Sequence, residues 1–295
     1  MRHAYLALTP LLLLHGCGGT ESASPAPPTD ATLQRDERAG RLAYDLENVD
    51  EAVAEYRAAL ARAQERDDLK AIGDLGYNLS VAELRANMPD RALADARATI
   101  AELKRRESTP FPALLLAEAT ALYRTGSLSE ADAAAARIQD SADRDAAARA
   151  TFLRGLIADA RGDEPGLTAA AESLKSASTP SIEADAAELA ARLALRHSDF
   201  ASARGEAARA AALRQDTFDY RGLARVLAIE GEAAARAGDS GAAADLYLRA
   251  GRSAAAQGDK TSARPWLQQA STLAPGEPVG VAADELLHSL NEGVR

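Results

Sequence analysis

From residue 33 onward, apolar and small residues recur at steps of three and four, the spacing that gathers them on one face of an α-helix. The stretch from Gly238 to Ala250 shows the unit clearly. Gly238 supplies the left-handed conformation that ends a helix, Asp239 and Ser240 can cap the next, and Ala243, Tyr247 and Ala250 share one face. No run alternates as a half-buried strand would, and strand-forming residues are sparse. The pattern predicts helices near 33–46, 50–65, 68–86, 90–106, 110–125, 128–140, 143–161, 164–177, 181–197, 200–213, 217–237, 241–257, 260–273 and 279–291. Pro89, Pro110, Pro165 and Pro180 fall at or near predicted helix starts, where a missing N–H costs little.

The phrase repeats. The place of Ala243 is taken by Ala52, Ala92, Ala131, Leu167, Ala203 and Ala263, at steps of 36 to 40 residues and a last step of 20. Ahead of each lies a helix stop: Glu47 (with Asn48), Asn87, Gly126, Gly162, Ser198, Gly238 and Gly258. Further back stand Gly40, Ser80, Ala119, Gly155, Ala191, Gly231 and Gly251. Small residues at a fixed period mark helices that cross closely in a stack of hairpins. A generic alanine-rich bundle would not require one spacing to recur.

Several copies resemble the tetratricopeptide repeat. Asn78-Leu79-Ser80 with Asn87 and Ala92 fit its hairpin. So do Gly231, Gly238, Ala243 and Tyr247, and also Gly251, Gly258, Ala263, Leu267 and Pro275. The resemblance spans about residues 33–275 and departs in its period, which exceeds the usual repeat of about 34 residues. It implies an all-α fold, an α-solenoid of tandem helix-turn-helix repeats over 33–278, with 279–295 as a capping helix. On that last helix Leu286, Leu287 and Leu290 share a face away from Asp284, Glu285 and Glu292.

The N-terminus reads differently. Met1-Arg2-His3 is basic, and Ala4 to Leu14 is an apolar run too short for a permanent membrane span. It leads into Leu14-His15-Gly16-Cys17, which resembles a bacterial lipobox. The resemblance implies a signal peptide over 1–16 and acylation of Cys17, the only cysteine in the chain. Residues 17–32 are then the lipid anchor and a Pro- and Ser-containing tether. Gly18, rather than aspartate, is compatible with sorting to the outer membrane. A Sec signal cleaved elsewhere is the alternative.

Charge and chemistry narrow the function. The 295 residues carry 34 basic and 44 acidic side chains, a formal net charge of −10, which argues against nucleic-acid binding. Aromatic residues make up 4%, so a core must come from alanine and leucine at close crossings. His3 and His15 leave with the signal peptide, and His197 and His288 have no second metal ligand at suitable spacing. His197 at a helix end suits the dipole. Asp67-Asp68 and Asp143-Asp145 stand where helix caps are expected. No phosphate loop or nucleophile elbow occurs. The reading is of a protein that is not an enzyme, with no catalytic residue, no metal and no cofactor.

In tetratricopeptide arrays the first helix of each hairpin lines the groove. Carried over by resemblance, the partner-binding positions are Tyr44, Tyr77, Arg85, Tyr123, Arg124, Phe152, Arg192, Arg196 and Arg236. Arg85, Arg124, Arg196 and Arg236 occupy one place in four hairpins. They could receive a partner's carboxylates, or else complement helix C-termini and snorkel. The lysine and asparagine pair of the chaperone carboxylate clamp does not occur. The expectation is a scaffold anchored to the outer membrane, facing the periplasm and holding protein or peptide partners. The alternatives are an accessory or undetected hydrolase of the envelope, or a glycan-binding component of polysaccharide export.

Overall fold

The computed structural model describes residues 30–176 and 179–292. Among these residues it contains α-helices and no strands. In order they are α1 (Ala31–Asp45), α2 (Val49–Glu65), α3 (Leu69–Arg85), α4 (Pro89–Arg105), α5 (Pro112–Arg124), α6 (Leu128–Ala136) and α7 (Arg144–Arg161). There follow α8 (Glu164–Leu174), α9 (Pro180–Arg196), α10 (Phe200–Asp216), α11 (Tyr220–Arg236), α12 (Ser240–Ala256), α13 (Lys260–Leu273) and α14 (Pro278–Glu292). Each helix packs on the next, and first helices of successive hairpins touch: α3 with α5, α5 with α7, α7 with α9, α9 with α11. The result is an all-α solenoid. Cys17 and residues 17–29 of the expected tether lie outside the described residues; residues 30–32 instead open the fold, since the Asp30 carboxylate accepts the Thr32 and Leu33 N–H groups at 3.0 and 3.1 Å and caps α1.

The turns follow from local chemistry. Glu47, Asn87, Gly126, Gly162, Ser198, Gly238 and Gly258 all have positive φ. At Gly238 the chain reverses through bonds from its N–H to the Ala235 carbonyl at 3.0 Å and from Asp239 N–H to Ala234 at 2.9 Å. The Asp239 carboxylate then accepts the Ala242 N–H at 3.2 Å and caps α12. Asp163, Asp199 and Asp259 repeat this arrangement. The turns between hairpins reuse it with unexpected residues: Asp67, Glu107 and Phe218 are left-handed too. Only α6 and α8 are clearly shorter than their patterns suggested, ending at Ala136 and Leu174. After α6, Ser141 accepts the Asp143 N–H at 3.1 Å, a side-chain bond that competes with helix continuation.

The core lies at the crossings. Ala52, Ala92, Ala131, Leu167, Ala203, Ala243 and Ala263 are all fully buried. Opposite them the first helices carry little side chain. A methyl added at Gly251 would lie 2.6 Å from the Leu267 side chain, and one at Gly155 2.6 Å from Leu189. The final step of 20 residues also has a structural meaning. α12 carries Ala243 against α11 and Gly251 against α13, so it closes one hairpin and opens another. It also touches α14, as first helices touch one another elsewhere. On α14, Leu290 is buried while Leu286 and Leu287 are half-buried.

Candidate functional site: the inner face of the solenoid

The solenoid curves far enough for distant turns to meet. Asn87, between α3 and α4, donates from Nδ2 to the carbonyl of Gly258, between α12 and α13, at 3.2 Å. First helices therefore look across at one another. Arg124 on α5 is close enough to Arg221 and Arg225 on α11 to feel their charge, and Tyr77 on α3 feels Arg149 on α7. Along this face stand Tyr44, Tyr77, Tyr123 and Phe152, all half-buried. Tyr77 meets Phe111 edge-on at 5.6 Å between ring centres, and burial raises its hydroxyl pKa.

The recurring arginines occupy a shared structural niche. Arg124 donates to the carbonyl of Leu84, Arg196 to that of Asp159, and Arg236 to that of Leu195 at 3.2 Å. Each acceptor sits near the C-terminus of the preceding first helix. Each also accepts the N–H of the left-handed turn residue: Asn87 at 3.2 Å, Gly162 at 3.1 Å and Ser198 at 3.1 Å. The arginine thus satisfies the negative end of the neighbouring helix as well as tying hairpin to hairpin. Arg85 makes the equivalent reach to Glu47 at 3.0 Å and lies 4.8 Å above the Tyr44 ring. Arg196 also bonds the Asp159 carboxylate at 2.8 Å.

A buried charge cluster, not foreseen from the sequence, joins α9, α10 and α11. Glu188 on α9 is fully buried and accepts from Arg192 at 2.9 Å, Arg214 at 2.6 Å and Arg225 at 2.9 Å. Burial would raise the Glu188 pKa, but Arg225, Arg192 and Arg214 outweigh it and hold it well below the usual range. Arg214, 2% exposed, also holds Asp185 at 2.9 Å. Burial drives the Asp185 pKa up to about 6, against the pull of Arg214. Arg214 and Arg225 stack over Phe152 at 5.7 and 5.8 Å. The available signal was the spacing of Asp185, Glu188 and Arg192 on one face of α9, and of Arg221 and Arg225 on one face of α11.

No protein-family model matches the chain, and no curated protein matches it. Solved structures do. A tetratricopeptide repeat protein from Parabacteroides merdae aligns over 89% of this chain and 100% of its own, at 16% identity and a TM-score of 0.50. The fold is a tetratricopeptide-repeat solenoid. Weaker likenesses are to the complex of the TPR2AB domain of yeast Sti1 with pHSP90 and to the Cut9–Hcn1 assembly of APC/C. The first aligns at 17% identity and a TM-score of 0.34, over 88% of this chain and 98% of that one. The second aligns at 15% identity and a TM-score of 0.47, over 80% of this chain and 48% of that one.

Within this tetratricopeptide-repeat solenoid, polar groups near the ends of α7, α9 and α11 and the start of α8 are paired. Arg192 meets Asp159 at 2.8 Å, Arg236 meets Glu232 at 3.2 Å and His197 meets Glu164 at 3.0 Å. Among the described residues, no group of three or more His, Cys, Asp or Glu could hold a metal ion. Nor is any described helix long and apolar enough to cross a membrane.

Proposed function

We propose that this chain is a lipid-anchored scaffold of the bacterial envelope that holds protein or peptide partners along its inner face. The observation that carries the reading is the inner face itself. Tyr77, Tyr123 and Phe152 offer half-buried aromatic surface there, among guanidiniums from four first helices. Aromatic and arginine side chains are the types that anchor partners most strongly. Fixed helices present them without the ordering cost of a loop.

The anchor belongs to the same proposal. Leu14-His15-Gly16-Cys17 supports acylation of Cys17, and more than one acyl chain gives a stable membrane hold. The tether then separates the membrane from the solenoid, and Gly18 is compatible with sorting to the outer membrane, with the solenoid in the periplasm. Two experiments test this. Cys17→Ser should abolish acyl labelling and move the protein to the soluble fraction; membrane retention of the variant, with no label on the wild type, contradicts the anchor. A partner recovered from envelope extracts by the wild type should be lost with the Tyr77→Ala, Tyr123→Ala double variant. Undiminished capture by that folded variant contradicts the inner face as the binding surface.

A further inference from the structure

The two ends of the solenoid differ. At the far end α14 turns Asp284, Glu285 and Glu292 to solvent, the polar finish that a terminal repeat needs. Val281 is the large apolar residue most exposed there. At the near end α1 exposes Leu42 by 60% and Leu46 by 70%, one helical turn apart.

The position of Leu42 is one that the rest of the array buries. Leu42 stands two residues after Gly40, as Ala82, Ile157 and Ala233 stand two after Ser80, Gly155 and Gly231. Those three are buried against the hairpin that precedes them: Ala82 with α1 and α2, Ile157 with α5 and α6, Ala233 with α9 and α10. Among the described residues no hairpin precedes α1. Arg38 shares this open face, since its counterparts Leu153, Leu189 and Ile229 are buried in the same way.

Asp45 completes the face. It stands where later first helices carry Arg85, Arg124, Arg196 and Arg236, each of which reaches back to the preceding hairpin. The helix with no neighbour behind it carries the opposite charge at that position. Arg35 meets Asp36 at 2.8 Å and Arg41 meets Glu37 at 2.9 Å, so both are satisfied on α1 itself. Arg38 and Asp45 are exposed and have no charged partner among the described residues.

We infer that the free face of α1 is an interface with a second copy of this chain, the two α1 helices packing antiparallel about a two-fold axis near Leu42. Arg38 lies four residues before Leu42 and Asp45 three after it, so in that register Arg38 of each copy meets Asp45 of the other. Leu42 and Leu46 fill the space between. Head-to-tail stacking of α14 on α1 would answer Arg38 with carboxylates, leave Asp45 unanswered and continue as a filament. The chain offers no cover of its own, because residues 18–29 hold no large apolar side chain. A lipid surface suits the face poorly, since Asp45 and Glu47 border the leucines. This interface goes beyond the scaffold reading, which needs only the inner face.

Two leucines and two ion pairs make a modest contact, so the dimer should dissociate reversibly on dilution. Sedimentation equilibrium of the full-length chain in a density-matched mild detergent should show one copy at low concentration and two at high. Leu42→Asp should raise the dissociation constant at least about tenfold. Leu42 is exposed within one copy, so this variant should keep the wild-type helical spectrum and melting temperature. Arg38→Asp should weaken the dimer by about tenfold, by setting like charges opposite each other. Adding Asp45→Arg to Arg38→Asp should restore wild-type association to within about threefold, a rescue that loss of fold could not produce. A chain that stays single at every concentration overturns the inference. So does a dimer that tolerates Leu42→Asp, a charge swap that fails to rescue, or assembly beyond two copies. Flotation of the Cys17→Ser chain on vesicles of phosphatidylethanolamine and phosphatidylglycerol, abolished by Leu42→Asp, would assign the face to lipid and overturn it equally.

Discussion

Glu83 shows how much one residue can set in this structure. Its side chain on α3 is fully buried, with one oxygen on Arg57 Nη2 and Asp95 close by. Burial, and then nearby Asp95, drive its pKa from 4.5 up to about 8, with Arg57 and Arg91 opposing. Folded Glu83 therefore holds a proton that the unfolded chain has released between those values. Its contribution to stability falls as pH rises from about 4.5 to about 8. Melting temperatures measured across this range should decline less steeply for Glu83→Gln than for wild type, and parallel curves would contradict the assignment. Phe218 is a second case. It is 69% exposed with φ of 56°, a conformation that costs a bulky side chain about 1–2 kcal/mol. Phe218→Gly should therefore stabilise the fold by up to about 1 kcal/mol, after glycine's own entropic penalty. A loss in chemical denaturation would show that its edge-on contact with Tyr220 outweighs the strain.

Among the helices, close crossing is the governing constraint. Ala243→Leu on α12 should overpack the contact with α11 and cost about 1–3 kcal/mol. Ala256→Leu, exposed at the end of the same helix, should cost almost nothing in the same denaturation experiment. The ladder predicts a further cost. Arg196→Ala should lose about 1 kcal/mol, since it removes bonds to the Asp159 carbonyl and carboxylate. An unchanged melting temperature would make the ladder incidental. These elements differ in how far the sequence announces them. The crossings were legible because small residues recur at one spacing, and the hairpin turns because glycine or asparagine fills most of them. The left-handed turns at Asp67, Glu107 and Phe218 were not, because no glycine marks them. The arginine position was legible, but its acceptor was not. A carbonyl on the neighbouring hairpin leaves no trace in side-chain pattern. Glu188 and its three arginines were hidden for a related reason, since their pairing depends on how much α9, α10 and α11 converge.

At the scale of the whole molecule, curvature turns a row of first helices into an enclosed face. The Asn87–Gly258 bond joins turns from distant hairpins, with Arg124 on the Asn87 side and the Arg221–Asp259 pair on the other. Exposed charges are screened by salt while the alanine-packed crossings are not, so salt should act on partner binding more than on the helical stack. The central claim is that partners lie along this inner face. Site-specific photocrosslinking in cells tests it most directly, with the crosslinking residue placed at Tyr123 or Phe152 inside, or at Arg105 or Ala256 on exposed helix ends. The account predicts a discrete adduct from the two inner positions and none from the outer pair. Adducts from Arg105 or Ala256, with the inner positions silent, would contradict it.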